Sequence, residues 1–254
     1  MPINTLYYNL FKMINTLHPE QRITRIRNFV WLMVGIQISQ SVNLSRIAGK
    51  IPGEAKLLSY TRGLSRLLNN QAIDVRAWYE PIARSWLERQ ARCIQQILLI
   101  VDTTKVGFNH QLLMVSMAYR KRSVPIARTW IKQVRGHSSP RIQLDLLSYV
   151  HTLLPKGIAV LLVGDNEFGA MDVLKQLEKW RWDFVFRQKA RTLVCLPNQI
   201  EWRKFGDCIQ KAGHSVWLGR CFLTESEIFP VNLLVHWKIG EKEPWCLATN
   251  LPDR

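Results

Sequence analysis

The chain has 254 residues, 47% of them hydrophobic, with 35 Lys and Arg against 19 Asp and Glu, a formal charge of +16. That length and apolar content allow one large packed domain or two small ones and exclude a disordered chain. The longest apolar run near the start, Phe29 to Ile36, is too short to span a bilayer. The surplus is +8 over residues 1–92, +7 over 93–190 and +1 over 191–254, so a polyanion, most often nucleic acid, is the expected partner of the first three quarters.

Residues 1–19 read as a short helix stopping near Pro19. From Glu20 to about Ser39, Ile23, Ile26, Phe29, Val30, Met33 and Val34 recur at helical spacing. A short helix over Asn43–Lys50 is broken by Ile51-Pro52-Gly53, and a longer one restarts from Glu54 to Leu68. Short helix, tight turn and longer basic helix is the outline of a helix-turn-helix reader of DNA, with Lys56, Arg62 and Arg66 able to face a duplex. The same outline suits an ordinary helical subdomain. Asp74 stands as N-cap of a further helix to about Arg92, whose Trp78, Ile82, Trp86 and Leu87 suit a core.

The texture then changes. Ile97-Leu98-Leu99-Ile100-Val101 is an apolar run of strand type that ends in Asp102. Leu112–Tyr119 and Val124–Ile131 read as a hairpin with a basic tip at Arg120, Lys121 and Arg122. Ser138 or Ser139 caps a helix whose first turn holds Pro140 and whose buried stripe is Ile142, Leu146, Val150, Leu153 and Leu154. A second apolar run, Ile158–Val163, ends in Gly164 and Asp165; a helix from about Ala170 to Trp180 and a strand Asp183–Arg187 follow.

The order β-β-β-α-β-α-β makes the helix at 140–154 a crossover, so the strands ending at Asp102 and Asp165 should lie parallel. If they are adjacent, two carboxylates share one edge of the sheet. Such a pair binds Mg2+ or Mn2+, cations that polarise phosphate oxygens and activate water. Five widely spaced cysteines without a Cys-x-x-Cys pair indicate neither a zinc site nor a disulfide framework, and suit the reduced cytosol.

In this order, Ile100-Val101-Asp102-Thr103-Thr104, Tyr119–Pro125, Gly164-Asp165-Asn166-Glu167-Phe168, Asp183–Arg187 and Trp245–Leu251 resemble the DDE transposases of bacterial insertion sequences. The resemblance implies an α+β or α/β fold: a helical DNA-binding region over 1–92, a ribonuclease-H-like mixed sheet with flanking helices over 93–189, and a β-rich insertion over 190–254. It implies Asp102 and Asp165 as catalytic acids and ligands of two Mg2+ or Mn2+ ions in a complete site. It also implies double-stranded DNA, at element ends and target, as partner, action as a homodimer on DNA, and a place on the nucleoid of a bacterial cytoplasm, with no membrane. The family's third acid is a glutamate on a helix beyond the Thr-Asn-Leu strand; the sequence stops at Arg254 before such a helix, so impaired catalysis is the expectation. Glu167, two residues past Asp165, is a weaker candidate to compensate, while Glu201, Glu225 and Glu227 fall in the insertion. A truncated, non-catalytic DNA binder and a ribonuclease-H-like nuclease unrelated to transposition stand as alternatives.

Overall fold

The computed structural model describes residues 2–133, 136–223 and 229–252, so Glu225, Glu227 and Arg254 lie outside the described residues. The chain divides into two compact units, 1–82 and 83–254.

The first unit is helical: α1 (Ile3–Leu17), α2 (Ile23–Ser39), α3 (Leu44–Ala48), α4 (Leu57–Leu68) and the first part of α5 (Val75–Ala91), within which the division falls. The caps are those the residue types dictate. Asn43 Oδ1 accepts from the Ser45 and Arg46 amides at the start of α3, and Asp74 Oδ1 accepts from the Arg76 and Ala77 amides at the start of α5. Ile14, Ile26, Val30, Val34 and Trp78 form one buried cluster, and Leu32, Ile47, Ala48, Leu64 and Leu67 another. Gly35 lets α2 approach α3, since a Cβ there would stand 2.5 Å from Ile47 Cγ2. Among the described residues no helix is long and apolar enough to cross a membrane.

The second unit is built on one mixed sheet of ten strands. In chain order they are β1 (Gln96–Val106), β2 (His110–Tyr119), β3 (Arg122–Ile131), β4 (Ala159–Gly164), β5 (Asp183–Gln188), β6 (Leu193–Cys195), β7 (Trp202–Lys204), β8 (His214–Leu223), β9 (Phe229–Trp237) and β10 (Trp245–Thr249). Helix α6 (Pro140–Leu153) connects β3 to β4, and α7 (Met171–Lys179) connects β4 to β5. The spatial order is β3-β2-β1-β4-β5-β10-β9-β8-β6-β7, with β1, β4 and β5 mutually parallel and the other pairings antiparallel. The first five positions are the mixed sheet the sequence order predicts. The strands after residue 190 continue that sheet across β5 through β10, hydrogen-bonded edge to edge.

The two faces of the sheet differ. Ile97, Leu99 and Val101 of β1, Val160 and Leu162 of β4 and Phe184 and Phe186 of β5 are buried in one cluster with Leu146, Leu147 and Val150 of α6, Leu174 and Leu177 of α7, and Leu87 of α5. The alternate residues Leu98, Ile100, Met114, Leu161, Val163 and Val185 point to the opposite face, and all are only half-buried. Pro125 sits in β3, an edge strand, opposite the register shift between Val115 and Ser116, a place where proline is tolerated.

In the sheet, one boundary and one strand depart from the sequence reading. Strand β1 does not stop at Asp102 but runs on to Val106, because Thr103, Thr104, Lys105 and Val106 keep pairing with β2 after β4 has ended. Strand β7, three residues long, is too short to give a periodic signal.

Candidate functional site

Strands β1 and β4 pair in parallel from Gln96↔Ala159 to Ile100↔Val163. One step past that ladder Val101 lies against Gly164, and Asp102 and Asp165 are the next residue on each of these two neighbouring chains. The Val101–Gly164 contact is direct: a Cβ on Gly164 would lie 2.8 Å from Val101 Cγ1 and 2.9 Å from the Phe168 ring. Glycine here lets the two acid-bearing chains close up.

Both acids are exposed, and each uses one oxygen locally. Asp102 Oδ2 accepts a long bond from Thr104 Oγ1 (3.4 Å), whereas Asp165 Oδ1 caps the 3-10 turn Asn166–Phe168 by accepting from the Glu167 amide (2.9 Å). Among the described residues, Asp102 Oδ1 and Asp165 Oδ2 have no hydrogen-bond partner. Hard anionic oxygens in that state suit Mg2+ or Mn2+, which take one or two carboxylates and complete their shell with water or substrate phosphate. The described residues contain no group of three or more His, Cys, Asp or Glu able to enclose a metal.

Glu167 has a different setting. Its side chain is 10% exposed, and Oε1 accepts from Thr103 Oγ1 (2.8 Å), the Ser138 amide (2.9 Å) and the Ser138 hydroxyl, while His137 Nδ1 stands 3.7 Å from Oε2. Gln143 on α6 donates to Ser138 Oγ and to the Glu167 carbonyl. Of the two serines before α6, Ser139 is the helix cap and Ser138 the carboxylate's partner. Asp145 and Asp172 are exposed on α6 and α7.

Next to Asp165, a cavity of about 410 Å3 is lined by Asn166, Arg187, Lys189, Arg191 and Glu243, among others. The Arg187 guanidinium lies over the exposed Trp245 ring, 5.1 Å from its centroid. These cations were legible only through alternation: Phe184 and Phe186 point inward, so Arg187 points out. Lys189 and Arg191 follow in a loop that carries no pattern.

The basic candidates fall in separate places. Arg62 and Arg66 are exposed one turn apart on α4, whose Leu64 and Leu67 are buried, and Lys56 is exposed at its N-cap. Arg120 and Lys121 form a two-residue hairpin tip, and Arg122 opens β3 opposite Tyr119. Asp102 pairs with Met114, five residues from Tyr119, which puts the tip about 17 Å along the sheet from the acids. Arg120 covers the Tyr119 ring, and Tyr119 meets Trp86 edge-on.

No protein-family model and no curated protein sequence matches the chain. The chain aligns with two solved structures. A piggyBac transposase synaptic complex with hairpin DNA aligns with a TM-score of 0.47 at 11% identity, over 98% of this chain and 59% of that one. Marinitoga piezophila Argonaute in complex with guide RNA and target DNA aligns with a TM-score of 0.31 at 8% identity, over 84% of this chain and 32% of that one. The chain thus spans less than two thirds of either structure's length.

Proposed function

We propose that the protein is a DNA transposase of the insertion-sequence DDE type, in which Asp102 and Asp165 hold divalent cations for phosphodiester cleavage and strand transfer at element ends. The observation that carries this reading is the β1–β4 register, which sets the two acids on neighbouring chains with one free oxygen each. The +16 charge supplies affinity for a polyanion.

A Mg2+ or Mn2+ ion between these carboxylates would polarise a phosphodiester and make water a better nucleophile. The protein's own part is to orient. Asp102 and Asp165 fix where the cleaved strand meets the sheet, the cations at Arg187, Lys189 and Arg191 neutralise its phosphates beside Asp165, and Arg120, Lys121 and Arg122 hold backbone farther along. Lys56, Arg62 and Arg66 face element-end DNA, and two copies act together on one DNA complex. The setting is the bacterial nucleoid.

With two acids at the site, these 254 residues by themselves bind DNA well and cleave weakly. A second reading, a DNA binder that occupies ends without cutting, is favoured by the absence of a third ligand among the described residues. Both are tested on a labelled element-end duplex with purified chain. Binding should fall steeply with salt and survive Asp102→Ala. Any Mg2+-dependent nicking should vanish in that variant; a complete lack of nicking in the parent chain leaves the non-cutting binder. Nicking unaffected by Asp102→Ala would rule out the proposed centre.

A further inference from the structure

Glu167 is a carboxylate taken almost wholly out of water without a full cationic partner, a costly arrangement unless donors satisfy it. The donors come from two distant parts of the chain. Thr103 is the residue after Asp102 on β1, and Ser138 precedes α6; the 3-10 turn that holds Glu167 is itself capped by Asp165. Ser138 is 4% exposed and Gln143 1%, so the cluster is built into the core rather than laid on the surface. Gln143 donates to the Ser138 oxygen that in turn donates to Glu167, which fixes the direction of the hydroxyl.

We propose that Glu167 is a positioning residue: its buried carboxylate fastens the Asp102 segment of β1 to the Asp165 turn and to the entrance of α6, and so sets the spacing of the two acids without itself binding cation. Three donors converge on Oε1, which leaves that oxygen little to offer a metal, and Oε2 belongs to a side chain only 10% exposed, with His137 Nδ1 standing 3.7 Å from it. The fastening explains why the turn after β4 is held although its acid is exposed. Thr103 points to the buried face through Glu167, while Asp102, one residue earlier, points to the open one.

The role in cation binding rests on the proposed centre; the fastening does not, and two measurements on the full chain separate them. The first is amide hydrogen exchange without metal in Glu167→Ala, Glu167→Gln and Ser138→Ala, each checked for folding by circular dichroism. Glu167→Ala should speed exchange at residues 102–104 and 137–139 by about tenfold or more, and Glu167→Gln by less, because an amide oxygen still accepts. If Glu167→Ala does not fold, Glu167→Gln and Ser138→Ala carry the same comparison. Unchanged exchange in both segments overturns the fastening.

The second is Mn2+ titration. A positioning role predicts that Ser138→Ala weakens Asp102-dependent Mn2+ binding by roughly 10–100-fold. Were Glu167 a ligand, Ser138→Ala would free its carboxylate and leave binding equal or tighter, which overturns the proposal. If the parent chain shows no Asp102-dependent Mn2+ binding, the cation centre fails, and the exchange result alone decides the fastening.

Discussion

Gly164 touches Val101 so closely that the smallest side chain at position 164 would stand 2.8 Å from Val101 Cγ1 and 3.2 Å from its carbonyl oxygen. The contact lies one residue before each acid, just past Ile100↔Val163, the last pair of the β1–β4 ladder. Packing there and spacing at the site are therefore the same variable. Gly164→Ala should cost about 1–3 kcal/mol, because the buried Val101 and Phe168 side chains, with the Val101 carbonyl behind them, must yield. It should also weaken cation binding while leaving DNA affinity near that of the parent. Denaturant melts and a Mn2+ titration check both; a variant as stable as the parent would show that β1 and β4 have slack.

The hairpin tip carries backbone strain. Arg120 and Lys121 adopt φ of 45° and 63°, the left-handed region that two-residue hairpin turns require and that Asn-Gly fills with ease. Charge has been kept at the expense of turn preference. Lys121→Gly should raise stability by about 1 kcal/mol and, if the tip holds DNA backbone, lower the salt dependence of binding by about one phosphate contact. Unchanged salt dependence would remove Lys121 from the interface.

Two buried thiols supply a pH signature for the distal half of the sheet. Burial, assisted by the neighbouring Cys208 and Cys195 thiols, pushes Cys221 up to about 11; burial, with Cys208 next, does the same for Cys246. A folded-state value above the unfolded one means that these groups favour the folded chain at neutral pH and that the benefit is lost as pH rises from about 9 through about 11. Thiolate absorbance should show two groups titrating near pH 11 in the folded chain and moving toward 9 on denaturation. Ordinary titration in the folded state would mean that β8 and β10 admit water.

The strands that carry the two acids were legible because they are written in local pattern. An apolar run into Asp102, and a second into Gly164-Asp165, announce two strands with an acid after each apolar run, although β1 itself continues past Asp102, and the crossover length of α6 makes those strands parallel. What could not be read is held by distance in sequence. Glu167 finds Ser138 and Thr103, 29 and 64 residues away, and nothing in its own loop marks it as buried. The Trp245–Leu251 motif is a further case. Asn250 accepts from the Phe184 amide (2.8 Å) and donates to the Trp182 carbonyl (3.0 Å), and Thr249 donates to the Phe184 carbonyl (2.6 Å), so those polar residues clasp β10 to the start of β5. The continuation of one sheet through residues 190–249 follows from that clasp, which no periodicity reveals.

Asp102 and Asp165 should act as one cation site, and Mn2+ binding to the full chain tests that most directly. Parent, Asp102→Asn, Asp165→Asn and the surface control Asp145→Asn are titrated under identical conditions, with circular dichroism confirming the fold of each. The prediction is that either site substitution alone abolishes the Mn2+ binding of the parent, while the control retains it. Binding that persists equally in both site variants would contradict a shared centre.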